Sequence, residues 1–265
     1  MTRVLSGAVL ALIAVGVVWL APPLMFFVAA EAMLLLAASE YAGLSRGIGS
    51  TVPAWLSTTA AAATCAAVTF GAGVSTAAIA ALLGALVVLG SVALFRWKGG
   101  PDALASVAAA VFPSLYLGLP IGALVVIRGQ QGAAGLFLLM LTVMVSDTAQ
   151  YYTGRTFGRR PLASTISPKK TREGAIGGFV FGALAFVVVG GRWLPEPALP
   201  TPVRLALGLI LVAAGIAGDL FESMLKRSAG VKDSSSLIPG HGGVLDRIDA
   251  LLFAAPVYFL ALAYL

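Results

Sequence analysis

The stretch 218–249, GDLFESMLKRSAGVKDSSSLIPGHGGVLDRID, decides how the rest of the chain is read. It follows 14 uncharged, mostly apolar residues, 205–218, and then gathers five acids, four bases and the single histidine, His241. Nothing breaks a helix before Gly230, and residues three, four and seven apart share a helical face. Asp219, Glu222, Ser223 and Lys226 therefore line up, with Arg227 beside them, while Leu220, Phe221, Met224 and Leu225 form the other face. A polar loop containing Lys232 and Asp233 and a turn, PGHGG at 239–243, lead to a second helix. That helix opens with Asp246, Arg247 and Asp249 and runs apolar to Leu265.

These residue types suit phosphate chemistry with a metal. Asp219 on one helix and Asp246 and Asp249 on the next can converge on Mg²⁺, which takes carboxylate oxygens together with substrate phosphates. Lys226, Arg227, Lys232 and Arg247 can neutralise phosphate oxygens. Gly240, Gly242 and Gly243 around His241 let the backbone come close to a ligand. The alternative is a cytoplasmic loop with ordinary membrane-flanking charges. Against it, Asp219 lies ~12 Å up the helix from Arg227 at ~1.5 Å per residue. A carboxylate at that depth is a functional candidate by default.

The run Ser223-x-x-Lys226-Arg227, then Lys232-Asp233, then Leu237 to Asp249 (LIPGHGGVLDRID) resembles the signature of CDP-diacylglycerol synthase, also called phosphatidate cytidylyltransferase. The resemblance implies an integral-membrane enzyme of phospholipid biosynthesis. It would make CDP-diacylglycerol and pyrophosphate from CTP and phosphatidate, using Mg²⁺, with room for a second cation.

Composition points the same way independently. The chain is 59% hydrophobic and 11% charged, with a mean hydropathy of +0.98, whereas soluble domains carry roughly 25% charged residues. The expected fold is all-α, a polytopic membrane protein. One cysteine, Cys65, excludes an intramolecular disulfide and any cysteine-based zinc site within the chain. The formal charge of +6 fits cytoplasmic loop bias and anionic lipid rather than nucleic acid.

A span needs about 20 mostly apolar residues. Nine candidates follow: 4–20, 24–38, 53–70, 75–95, 103–127, 132–151, 175–191, 203–226 and 248–265. The first has signal-peptide features, but no clean small-x-small cleavage site follows it, and a retained span is expected. The fifth contains Pro113 and Pro120 and should be kinked or broken. Glu31, in the second, reads as a snorkelling or interhelical polar contact. With the N-terminus in the cytoplasm, 14 of the 17 basic residues fall inside and only Arg128, Arg192 and Arg204 outside. The positive-inside rule then places the C-terminus outside. The setting implied is the cytoplasmic (inner) membrane of a bacterium.

A second constellation lies at 146–174, SDTAQYYTGRTFGRRPLASTISPKKTREG. Asp147 sits near the inner end of the sixth span, and Arg155, Lys169 and Lys170 follow in a basic loop rich in hydroxyls. Asp147-Thr148, Gly154-Arg155, Gly158-Arg159 and the run from Ser167 to Gly174 also resemble the upstream block of the same family. Together the two blocks imply a catalytic transmembrane domain at 131–265, with cytoplasmic loops 152–174 and 227–247. The helices of 1–130 would face lipid or an oligomer partner, which leaves room for a homodimer. The implied catalytic residues are Asp219, Asp246, Lys226, Arg227 and His241, and the implied metal ligands are Asp219, Asp246 and Asp249. Asp147, Arg155, Lys169, Lys170, Ser223, Lys232, Asp233, Gly242, Gly243 and Arg247 would bind substrate.

Two other readings compete. A transporter would place polar residues in both halves with paired broken helices, but the polar residues here concentrate in the second half. A CTP-dependent polyprenol kinase shares the nucleotide and differs in the acceptor. The topology is testable directly. Ser164→Cys and Ser235→Cys, each in a Cys65→Ala background, should label only from the cytoplasmic face. Labelling of either from outside would overturn the arrangement.

Overall fold

A computed structural model describes residues 2–48, 51–71, 73–194, 199–238, 240 and 242–264. The described residues form nine α-helices and one small hairpin in order: α1 (Thr2–Leu20), α2 (Pro23–Leu44), α3 (Ala54–Phe70), α4 (Val74–Arg96), α5 (Ala103–Pro113), α6 (Leu119–Phe157), strands β1 (Pro161–Ala163) and β2 (Ser167–Thr171), α7 (Arg172–Trp193), α8 (Thr201–Ser228) and α9 (Leu245–Tyr264). The antiparallel hairpin is the departure from an all-helical expectation. It forms where the basic loop alternates side chains over three to five residues, too short a run to announce itself.

Among the described residues six segments are long and apolar enough to cross a membrane: Pro23–Gly47, Val74–Arg96, Ala103–Phe157, Arg172–Trp193, Thr201–Ser228 and Leu245–Tyr264. Ala11–Leu20 and Ala54–Phe70 are shorter apolar helices. The 55-residue run Ala103–Phe157 would measure about 80 Å as one straight helix, far beyond the ~30 Å hydrocarbon core. It is interrupted twice. After Pro113 the chain makes a π-helical turn, Ser114–Gly118, which ends just before Pro120. At Gly132 the backbone turns to φ 71°, ψ −176°, a region essentially reserved for glycine. The π turn lies buried against α3: a Cβ on Gly118 would come within 2.6 Å of the Ala61 carbonyl. Irregular backbone at membrane depth is tolerated when it is covered by protein in this way.

One apolar core joins α1, α2, α3, the π turn and α6 to α9, and a smaller cluster of Val52, Ala85, Leu89, Ala93 and Ala110 holds α4 and α5. The outward faces stay apolar, with Leu83, Val87, Leu94 and Phe95 of α4 and Ile176, Val180 and Leu184 of α7 all exposed, as lipid-facing surfaces require. The helix ends sort into two groups. Arg128 donates Nε–H to the Val18 carbonyl at 2.6 Å, and Trp19 stacks edge-on with Trp193 at 6.0 Å. The ends of α1 and α7 and the break in α6 therefore meet at one end of the bundle. The ends of α2, α6 and α8, the hairpin and the start of α9 meet at the other.

Glycines let the helices of the second half approach closely. The critical one is Gly218, where α8 crosses α9: a Cβ there would lie 2.5 Å from the Asp249 carbonyl oxygen and 3.1 Å from Phe253 Cβ. Alanine is worth about 1 kcal/mol more than glycine in a helix interior, but a backbone clash of that size costs about 1–3 kcal/mol, so the loss wins. Gly218→Ala should lower the thermal unfolding midpoint in detergent. Gly84→Ala in α4, where nothing lies within 4 Å, should leave it unchanged or raise it. Equal midpoints for the two variants would contradict the packing described.

Candidate functional site

Four helices (α6, α7, α8 and α9) and the hairpin surround a cavity of about 770 Å³ at the second end of the bundle. Asp147 and Arg155 come from α6, Lys169 and Lys170 from β2, and Asp219, Ser223, Lys226 and Arg227 from α8. Lys232 and Asp233 come from the loop after α8, and Asp246, Arg247 and Asp249 from α9. Seven basic side chains thus face five acidic ones, an excess that favours an anionic ligand. The volume falls within the ~300–1,000 Å³ of small-molecule sites. Met140, Val143, Met144 and Leu251 also line it, so the cavity has an apolar wall.

The local reasons for this arrangement are short-range. Thr171 caps α7, its hydroxyl accepting from the Gly174 N–H at 3.1 Å. Glu173 accepts from the N–H groups of Arg159 (3.0 Å) and Arg160 (3.2 Å), and Arg172 N–H donates to the Arg160 carbonyl at 2.9 Å. These bonds fold the hairpin back under α6. Arg227 ties its Nε–H to the Ile166 carbonyl at 3.3 Å, joining the end of α8 to the hairpin turn. Lys170 then reaches across and forms an ion pair with Asp219.

The carboxylates divide into two groups. Asp219 pairs with Lys170 and receives a long contact from the Ser223 hydroxyl at 3.4 Å. It also interacts electrostatically with Asp147 and Asp249. Asp147 accepts from Gln150 Nε2 at 3.0 Å. The second group surrounds Lys226, whose ammonium pairs with both Glu222 and Asp246. The Glu222 side chain is 0% exposed, which the sequence pattern does not distinguish from its cavity-facing neighbours. Among the described residues, no three acidic, histidine or cysteine side chains gather closely enough to enclose an ion. Asp219, Asp246 and Asp249 therefore do not form one closed cluster, because lysines hold two of them.

Other expected site residues sit elsewhere. Gly242 and Gly243 do not line the cavity. Their close approaches are to protein carboxylates: a Cβ on Gly242 would lie 2.6 Å from Asp246 Oδ2, and one on Gly243 would overlap Ser234 and Glu40. His241 lies outside the described residues. Glu40, near the end of α2, carries no motif and does not stand out in the sequence, yet it bonds to Ser234, Ser235, Val244 and Leu245. A second span drawn two residues past Ala38 takes in Glu40 as an acid at membrane depth.

Fold and cavity together define a multi-pass helical membrane protein with a mixed-charge cavity at one end of its bundle. The Cytidylyltransferase family matches residues 1–265. The chain belongs to the cytidylyltransferase family. It is 42% identical over 125 residues to a phosphatidate cytidylyltransferase of Aquifex aeolicus, covering 47% of this chain and 46% of that protein. With the phosphatidate cytidylyltransferase of Haemophilus influenzae it shares 46% identity over 136 residues, 47% of this chain and 45% of the relative. With that of Mycobacterium bovis it shares 36% over 165 residues, 61% and 52% respectively. The chain thus spans about half the length of the curated relatives it matches.

The Lys226 ion pairs make a stability prediction. Removing one partner of a buried pair leaves an uncompensated charge at a cost of about 3–5 kcal/mol. Lys226→Met should therefore lower the unfolding midpoint in detergent by several degrees, and adding Glu222→Gln should restore at least half of the loss. An equal deficit in the single and double variants would show that Glu222 does not depend on Lys226.

Proposed function

We propose that the chain transfers the cytidylyl group of CTP to phosphatidate at the cytoplasmic surface of a bacterial inner membrane. The products are CDP-diacylglycerol and pyrophosphate. The observation that carries this reading is the cavity in which Asp147, Asp219, Asp246, Lys170 and Lys226 meet between an apolar wall and the polar loops. CTP arrives from water, whereas phosphatidate stays in the bilayer because exposing its chains costs ~0.8 kcal/mol per CH₂. The two phosphates must meet near headgroup depth, and the cavity lies at a bundle end beside exposed Met144 and Tyr151.

In this reading a phosphate monoester oxygen of phosphatidate attacks the α-phosphorus of CTP. A new P–O bond forms, the bond from the α-phosphorus to the bridging oxygen breaks, and pyrophosphate leaves with that oxygen. The nucleophile is already anionic, so the protein needs no strong base. Its tasks are positioning and charge neutralisation. Lys170 and Lys226 already sit on carboxylates and can turn toward phosphate oxygens. Arg155, Lys169, Arg227, Lys232 and Arg247 extend the cationic lining around the nucleotide, with Asp233 and Ser223 at its edge.

The donor set suits Mg²⁺. Asp246 Oδ2 is taken up by the Gly243 N–H (2.7 Å), the Ser234 N–H (3.0 Å) and the Ser234 hydroxyl (2.8 Å), so Oδ1 faces Lys226 and the cavity. Asp219 and Asp246, which Lys170 and Lys226 now occupy, would each offer an oxygen to the ion once those lysines turn to phosphate, with Asp249 beside Asp219. A site with few protein carboxylates and the rest phosphate fits Mg²⁺. When bound, the ion supplies neutralisation of the phosphate charge.

In this reading both halves of the interrupted run and the two shorter apolar helices each cross the membrane, which makes nine spans. Alternation then puts the cavity loops on the same side as the N-terminus, inside by the positive-inside rule. Purified protein with labelled CTP, Mg²⁺ and phosphatidate in mixed micelles should form a lipid-soluble cytidine product, and a polyprenol acceptor should not become phosphorylated. Asp219→Asn and Asp246→Asn should each reduce turnover by at least about 100-fold while leaving a folded, detergent-stable protein. Near-normal activity in either variant would remove that residue from the reaction. Absence of the cytidine lipid with wild-type protein would overturn the proposed reaction.

A further inference from the structure

Glu40 is 5% exposed, lies four residues from the end of α2, and has no lysine or arginine on it among the ion pairs of the described residues. Its charge is met instead by four neutral donors. Oε1 accepts from the Ser235 hydroxyl at 2.7 Å and the Val244 N–H at 2.9 Å. Oε2 accepts from the Ser234 hydroxyl at 2.9 Å and the Leu245 N–H at 2.8 Å. A carboxylate has about four acceptor positions; three of these donors serve Glu40 alone, and the fourth, the Ser234 hydroxyl, is shared with Asp246. Val244 and Leu245 stand at the start of α9, where a helix leaves N–H groups without internal partners and favours negative charge. The cap that α9 needs is therefore supplied by a residue of α2, 205 positions before Leu245.

The same short segment carries Asp246. Ser234 places its one hydroxyl between Glu40 Oε2 and Asp246 Oδ2, at 2.9 and 2.8 Å, and its single proton serves one carboxylate at a time. Gly243 passes between them because a Cβ there would overlap the Glu40 carboxylate and the Ser234 hydroxyl. Glu40 does not line the cavity. We infer that Glu40 is a positioning residue: it clamps Ser234 and Ser235 to Val244 and Leu245 so that Asp246 presents Oδ1 to the reacting phosphates. This rests on the cytidylyl-transfer reading above for its catalytic consequence, but not for the clamp itself.

The test uses the full chain in detergent or nanodiscs, with three readouts: kcat and KM for CTP and phosphatidate, amide hydrogen exchange at Val244 and Leu245, and thermal unfolding. Glu40→Gln replaces one acceptor oxygen by an NH₂ that faces donors whichever way the amide turns. It should lower kcat by about 10–100-fold, the range for groups that orient a ligand-binding side chain. Both KM values should stay within about threefold, and exchange at Val244 and Leu245 should rise at least about tenfold, since a protecting bond is lost. Ser235→Ala removes one of the four bonds and should act in the same direction with a smaller effect, about two- to fivefold on kcat. Wild-type kcat in Glu40→Gln, or lost activity with unchanged exchange at the two amides, would overturn the inference. If Glu40→Gln does not fold, Ser235→Ala decides: an unaltered kcat and exchange pattern in that variant refutes the clamp. A wild-type protein without cytidylyl transfer would remove the proposed function, and amide exchange alone would then decide whether the clamp exists.

Discussion

A carboxylate below the headgroups is costly unless a cation or N–H and O–H donors match it, since hydrocarbon offers neither. The second end of this bundle is arranged around that requirement. Lys170 answers Asp219, Lys226 answers Asp246 and Glu222, and Gln150 answers Asp147. Glu40 is answered only by hydroxyls and backbone N–H groups. Each answer comes from a different element than the acid it serves, or from one turn away on the same helix. Satisfying the charges therefore assembles α2, α6, β2, α8 and α9 into one site.

The apolar bundle makes this possible by being stiff where it needs to be. Phe112, before the turn that follows Pro113, and Tyr116, within it, stack at 5.1 Å; Phe221 and Phe253 pack against them at 5.4–6.4 Å and against each other at 5.2 Å. Phe221 lies between Asp219 and Ser223 on α8, and Phe253 lies one turn beyond Asp249 on α9. The irregular turn thus contributes aromatic ballast to the apolar backs of the helices whose polar fronts form the cavity. Helix packing and charge pairing act on opposite faces of the same few turns.

Much of this is legible in the sequence, for definite reasons. Long apolar runs mark spans, and Pro113 with Pro120 marks an interrupted one. The i, i+4, i+7 spacing of Asp219, Ser223 and Lys226 puts three polar groups on one face, and all three line the cavity. The identity of long-range partners is not legible. In the sequence, Gly243 reads as making room for a ligand. A glycine signals that something comes close but not what, and here the neighbours are Ser234 and Glu40. Glu40 itself is hidden by a span boundary at Ala38, because Ser39-Glu40 looks like the polar edge of a helix. Glu222 shares the face of its neighbours, and only the packed fold shows that it is fully enclosed. The hairpin escapes a sequence reading because strands of three and five residues carry almost no periodic signal.

The break at Gly132 has a bearing on length. Between it and Asp147 the helix is regular, and Asp147 faces the cavity because of how many residues intervene. One residue inserted or removed in that interval would turn everything beyond it by about 100°, at ~3.6 residues per turn. Asp147 would swing toward lipid, and the hairpin that carries Lys170 would leave on a new bearing. The segment 133–146 therefore sets the phase of the helix by its residue count, while Leu138, Leu139 and Val143 within it pack the core. By contrast, the exposed connection at 97–102 can change length without rotating any of the elements that line the cavity.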